Sequence, residues 1–178
     1  MSYQSYNNIA LAQRPSLNYT SIVAQGKPTQ VFCGAHSGFS LPIYNNDNEE
    51  LFMSIKTPRR WDGKTNITLK VHIWLTSEEI VGNKFKLQFN WARSNCGDIL
   101  SNSTASIEKE ITILESKNSQ YQVYCVNFSI PAATFNEGDI LSGVLRRIAS
   151  SGTEISGETA VFAWDLGFKR DKQGVSFQ

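Results

Sequence analysis

From Ile67 to Leu75 the chain alternates without a break. Ile67, Leu69, Val71, Ile73 and Leu75 fall on one side, and Thr68, Lys70, His72 and Trp74 on the other. The stretch 84–91 repeats the pattern, gathering Phe85, Leu87, Phe89 and Trp91 against Lys84, Lys86, Gln88 and Asn90. A period of two is what a half-buried strand requires, because successive side chains point to opposite faces of a sheet. Further apolar-rich runs predict strands at 29–33, 50–55, 106–114, 121–130, 140–148 and 160–169. Between them lie clusters such as Trp61-Asp62-Gly63-Lys64, Val81-Gly82-Asn83, Asn95-Cys96-Gly97-Asp98 and Asn136-Glu137-Gly138-Asp139. Gly, Asn and Asp close turns because they tolerate left-handed backbone or bond to their own main chain.

About eight strands, each half polar, need two packed sheets or a closed barrel to bury their apolar sides. The long stretch 94–105 suits a crossing connection better than a plain meander. The expected fold is therefore all-β, an antiparallel β-sandwich that is jelly-roll-like. The only helical expectation is a single turn over 131–135. Trp91 falls in the apolar phase of its strand and is expected in the core. Trp164 shares a phase with Phe162, Leu166 and Phe168, whereas Trp74 falls opposite Ile73 and Leu75.

The first residues read differently. From Met1 to Asn46 there is no Asp or Glu, and the only charges are Arg14 and Lys27. Residues 1–28 hold neither a helical nor a strand period and contain Pro15 and Pro28, so they are expected as an extended amino-terminal arm, with the sandwich over 29–178. Scattered apolar groups in the arm, Tyr3, Tyr6, Ile9, Leu11, Leu17 and Tyr19 among them, suit a segment that orders against a neighbouring subunit. Tyr3, Tyr6, Arg14 and Tyr19, with the out-of-phase Trp74, are the expected partner contacts.

Charge and composition narrow the function. The 178 residues carry 17 basic and 16 acidic side chains, too even a balance for a nucleic-acid binder that must displace counterions. No apolar run approaches the roughly 20 residues of a spanning helix, and the start lacks the order of a secretory signal. The expectation is a soluble chain made in the cytoplasm. Cys33, Cys96 and Cys125 are odd in number and widely spaced, which fits neither a disulfide framework nor a tetrahedral metal site. Four Asn-x-Ser/Thr triplets, at Asn18, Asn66, Asn102 and Asn127, are of the kind a chain rich in these residues makes by chance.

Candidate chemistry is sparse. His72 occupies a polar slot of an alternating strand, and His36 is expected in a Gly- and Ser-rich loop. Either has the chemistry of a base, but a base also needs an orienting partner that a sequence does not display. Asp62, Asp98, Asp139 and Asp165 are spread singly, and a sugar hydrolase needs two carboxylates flanking one bond. Glu49-Glu50 and Glu78-Glu79 sit at expected strand ends or loops, where carboxylates are usually solvated. The stretch 45–50 has oxygen ligands but lacks the glycine turn of a calcium loop. No catalytic residue, metal or cofactor is expected.

One region carries a resemblance. The strand Leu51-Phe52-Met53-Ser54-Ile55 leads through Pro58-Arg59-Arg60-Trp61-Asp62-Gly63 into the alternating strand ending at Trp74. Pro131-Ala132-Ala133-Thr134-Phe135-Asn136-Glu137-Gly138-Asp139, Val144-Leu145-Arg146-Arg147 and Ala163-Trp164-Asp165-Leu166-Gly167-Phe168 follow in that order, with Gly174 and Ser176 near the end. This order resembles small jelly-roll virion structural proteins of tailed bacteriophages, over about two-thirds of the chain. The Arg146-Arg147 pair departs from it by lacking a following acidic residue. The resemblance implies a virion component, namely a capsid decoration or cement protein, a head fibre or a tail appendage. Its partners would be other virion structural proteins, with a homo-oligomer, a trimer above all, as the implied state. It also implies that Trp-Asp-Gly is structural, Gly63 making the turn and Trp61 packing beneath it. The alternative expectation is a carbohydrate-binding module of a host-recognition fibre, which would stack a host glycan on exposed rings.

Overall fold

The computed structural model describes residues 18–21, 28–42, 49–57, 61–100, 104–136 and 138–169. Within them the chain forms ten strands: β1 (Asn18–Ser21), β2 (Gln30–Cys33), β3 (His36–Leu41), β4 (Glu49–Lys56), β5 (Ile67–Leu75), β6 (Lys84–Ser94), β7 (Ala105–Thr112), β8 (Val123–Ile130), β9 (Ile140–Ile148) and β10 (Thr159–Gly167). Single 3-10 turns occur at Glu115–Lys117 and Ala132–Thr134, the second within the expected helical turn.

The strands make two five-stranded sheets, in the orders β1-β4-β9-β6-β7 and β2-β3-β10-β5-β8. The antiparallel pairs β6–β7, β5–β8, β4–β9 and β3–β10 are nested one inside the next along the chain. Such nesting is a long eight-stranded hairpin rolled up so that alternate pairs land on opposite sheets, which is a jelly roll. The expected sandwich is therefore the observed fold. β5 has the bounds its alternation predicted, and β9 those of the apolar-rich run 140–148.

Alternation decides what is buried. Ile67, Leu69, Val71, Ile73 and Leu75 of β5 face Phe85, Leu87, Phe89 and Trp91 of β6 in one core. Phe89 and Phe128 meet across it with ring centroids 5.7 Å apart, and Trp91 stacks on Phe135 at 5.1 Å. The Trp-Asp-Gly turn is a structural element. Trp61 is buried and its indole donates to Thr65 O at 2.8 Å, while Gly63 holds φ 65°. Asp62 Oδ1 accepts the amides of Lys64 and Thr65 and the Thr65 hydroxyl. Burial alone would raise the Asp62 carboxyl, but these hydrogen bonds hold it below its usual range.

Three expectations change. His36–Leu41 is a strand, β3, not a loop, and a tight turn with Gly34 at φ 57° joins it to β2. Asn18–Ser21, inside the expected arm, is β1 and pairs with β4 from Asn18↔Phe52 to Ser21↔Glu49. Neither Glu50 nor Glu79 is solvated: they are 6% and 3% exposed, and the Glu79 carboxylate accepts from Ser77 Oγ, Ser156 N, Ser156 Oγ and Gly157 N at 2.7–3.1 Å. The Arg-Arg pair simply obeys the pleat. Arg146 points outward to Gln88 and Glu50, and Arg147 points inward to Glu154 and Gly157 O.

Candidate functional site

The outer face of the β2-β3-β10-β5-β8 sheet gathers the polar-phase side chains of its strands. β5 supplies Thr68, Lys70, His72 and Trp74, and β8, at the sheet's edge, supplies the exposed Val123, Cys125, Asn127 and Ser129. β10 carries an irregularity here, because its register to β5 slips between Val161↔Ile73 and Ala163↔His72. One extra residue in a strand is a β-bulge, and it turns the following side chains over. Phe162 is that residue. It leaves the phase of Trp164 and Leu166, which stay in the core, and joins the outer face. The sequence placed Phe162 with those two residues, since the slip of a bulge has no periodic signature.

Phe162 becomes the hub of a ring cluster. Trp74 lies 5.1 Å from it, His72 5.9 Å and His36 6.1 Å, the two histidines edge-on. Trp74 does point away from the core, as its phase requires. Its ring is nonetheless only 3% exposed, lying over Gly38, where a Cβ would come 2.9 Å from Trp74 Cη2 and 2.8 Å from Val161 O. The expected role of Trp74 as a partner contact thus changes to that of a floor beneath Phe162. Tyr3, Tyr6 and Arg14 lie outside the described residues, as do the side chain of Tyr19 and residues 45–48 of the loop considered for calcium.

His72 is held on both nitrogens. Its Nε2 lies 2.8 Å from Asp165 Oδ2 and its Nδ1 3.4 Å from Cys125 Sγ. The orienting partner missing from the sequence is therefore Asp165, ninety-three positions away but one strand across the sheet. Lys70 pairs in register with Asp165 on one side and Asn127 on the other, adding a donor and an amide to the same face. Near the cluster, the buried Ser40 bonds Glu158. The other scattered aspartates have structural partners. Asp139 is buried on Arg93 and the Asn136 amide, and Asp98 caps its own turn by accepting from Asn95 N. Among the described residues, no group of three or more His, Cys, Asp or Glu is arranged to hold a metal ion, and no helix is long and apolar enough to cross a membrane.

No protein-family model matches the chain, and no curated protein does. Among solved structures, the X-ray crystal structure of a non-crystalline cellulose specific carbohydrate-binding module, CBM28, is similar, with 10% identity and a TM-score of 0.47 over 79% of each chain. The sandwich assignment rests on the strand order itself.

Proposed function

We propose that this chain is a non-catalytic binding module that holds a glycan on the outer face of the β2-β3-β10-β5-β8 sheet. The observation that carries this reading is the ring cluster centred on Phe162, with Asp165, Lys70 and Asn127 beside it. A sugar ring has an apolar C–H face that packs on an aromatic ring and a rim of hydroxyls that needs donors and acceptors. The face offers both, on a sheet whose side chains are already fixed by cross-strand packing. A glycan array followed by titration calorimetry tests it. Phe162→Ala is expected to weaken the best glycan about ten-fold or more, the worth of one ring contact. An array with no binder, or a Phe162→Ala variant with unchanged affinity, refutes it.

A second reading, a phage virion component that assembles by protein contacts, is favoured by a different observation. The loops β5–β6 and β7–β8 are tied by Glu79 N→Asn118 O and Gly82 N→Ile113 O. They expose Ile80 (71%), Val81 (50%), Leu114 (53%) and Tyr121 (46%). Tyr121 is also held at φ 63°, a left-handed backbone that a bulky residue adopts at a cost. Exposed apolar groups gathered at one end suit a contact with another subunit. Light scattering of the full chain, with Ile80→Asp beside it, decides. A closed oligomer, a trimer above all, that dissociates in the variant supports virion assembly. A monomer in both removes the self-association part of this reading.

A further inference from the structure

Three polar side chains are linked across the outer face, one on each of three neighbouring strands. Cys125 is on the edge strand β8, exposed, and directly opposite His72 of β5 in the ladder. Its Sγ is 3.4 Å from His72 Nδ1, and His72 Nε2 is 2.8 Å from Asp165 Oδ2 on β10. A carboxylate only accepts hydrogen bonds, so Asp165 places the proton of a neutral imidazole on Nε2. That leaves the Nδ1 lone pair facing the thiol. The Phe162 ring packs edge-on to the imidazole with centroids 5.9 Å apart. Nucleophile, base and orienting group are thus assembled in the order that activates a sulfur.

We infer that Cys125 is a site of thiol–disulfide exchange, taking the disulfide of a low-molecular-mass thiol as its substrate. His72 is the base, and Asp165 is a positioning residue that fixes its tautomer. The Cys125 S–H proton passes to His72 Nδ1, and the thiolate attacks one sulfur of the disulfide RS–SR. The new Cys125–S–S–R bond forms as the old S–S bond breaks. The departing RS⁻ takes the proton back from the imidazolium and leaves as RSH. Cys125 is oxidised and one half of the disulfide is reduced, so no further oxidant is needed. The edge position matters, because attack needs room along the line of the S–S bond. The product is a mixed disulfide at the rim of the ring cluster, which a free thiol reverses. This inference goes beyond the binding reading and does not depend on it, since thiol reactivity is read with no glycan present.

The chain contains its own controls. Cys96 is exposed but sits in a turn, its amide bonded to Asn95 Oδ1, and has no imidazole among its described partners. Cys33 is half-buried and reports local opening. The full chain is incubated with oxidised glutathione at pH 7, and the three cysteines are followed by peptide mass spectrometry. Cys125 is expected to form the mixed disulfide at least about ten-fold faster than Cys96, as a positioned general base provides. His72→Gln is expected to bring Cys125 within about two-fold of Cys96 while Cys33 stays slow. If His72→Gln opens the fold, Cys33 accelerates as well, and Asp165→Asn then carries the test. In that variant the ¹⁵N spectrum of His72 is expected to move from the Nε2–H tautomer towards a mixture as the Cys125 rate falls. A Cys125 no faster than Cys96 in the parent overturns the inference. So does an unchanged Cys125 rate in folded His72→Gln, or in Asp165→Asn with the tautomer shifted.

Discussion

Glu79→Gln keeps the shape of its side chain and changes only what the two terminal atoms accept. In the native chain Oε1 takes the Ser77 hydroxyl at 2.8 Å and the Gly157 amide at 2.7 Å, while Oε2 takes the Ser156 amide at 2.8 Å and its hydroxyl at 3.1 Å. Both serine hydroxyls can rotate to donate or accept, but the two amides cannot. Whichever way a glutamine is turned, its NH2 meets one of those amides donor to donor. One charge-assisted hydrogen bond is lost, about 1.5–3 kcal/mol, and one buried N–H is left unpaired, about 1–3 kcal/mol. The two costs overlap because they concern the same amide, so the expected total is about 2–4 kcal/mol. In a domain of this size each kcal/mol moves the melting temperature by about 2–4 °C, which gives a fall of about 4–16 °C. Urea unfolding should show a lower midpoint at unchanged slope, since the exposed surface is the same. Glu78→Gln, one residue away and exposed, should change stability by less than about 0.5 kcal/mol. Gly157→Ala should be at least as damaging as Glu79→Gln, because its Cβ would overlap Ser77 Oγ and come 2.7 Å from Glu79 Oε1. If Glu79→Gln costs no more than Glu78→Gln, the carboxylate is not what holds these loops together.

Four other outcomes are expected. Leu87→Asp should destabilise by several kcal/mol more than Gln88→Asp, as Leu87 is fully buried and Gln88 faces outward to Glu108 and Arg146; equal melting temperatures would mean the β6 phase is misread. Gly38→Ala should displace the Trp74 ring that lies over Gly38 and shift its fluorescence, together with a loss of about 1–3 kcal/mol, and an unaltered spectrum would contradict the contact. The Glu110 carboxyl is held down to about 2 by the Lys84 side chain, the Ser151 amide and the Ser151 hydroxyl. What it adds to stability is present above its unfolded value of 4.5 and is lost as pH falls towards 2, so an NMR titration should find its midpoint near 2 and Lys84→Met should raise it. Burial raises the Glu50 carboxyl against the opposing pull of Arg146, so its contribution is present below 4.5 and lost as pH rises through the folded value; Glu50→Gln should melt above the parent at pH 7, with the gap closing in acid, and a gap independent of pH would refute this.

The parts of the fold legible in the sequence are those governed by local rules. β5 and β6 were found because strict alternation leaves one apolar face that must be buried. β3 escaped because Gly38 and the serines of His36–Leu41 give it no apolar period, and its glycine is there to admit the Trp74 ring. The bulge at Phe162 escaped for a related reason. A single inserted residue leaves composition unchanged and is seen only when the partner strand fixes the register. Glu79 read as one half of a solvated pair because nothing near it in sequence shows that Ser156 and Gly157 will close over it.

By itself the sequence determined the class of the protein: an all-β sandwich, with His72 and Trp74 facing away from the core. Those results follow from periodicity and turn chemistry, which act over a few residues. The tertiary structure decided everything that depends on which strands are neighbours. Pairing β5 with both β8 and β10 put Cys125 and Asp165 on either side of His72, and the bulge brought Phe162 over Trp74. The residues of this face come from segments as far apart as His36 and Asp165, and only the rolled hairpin of the jelly roll makes them adjacent.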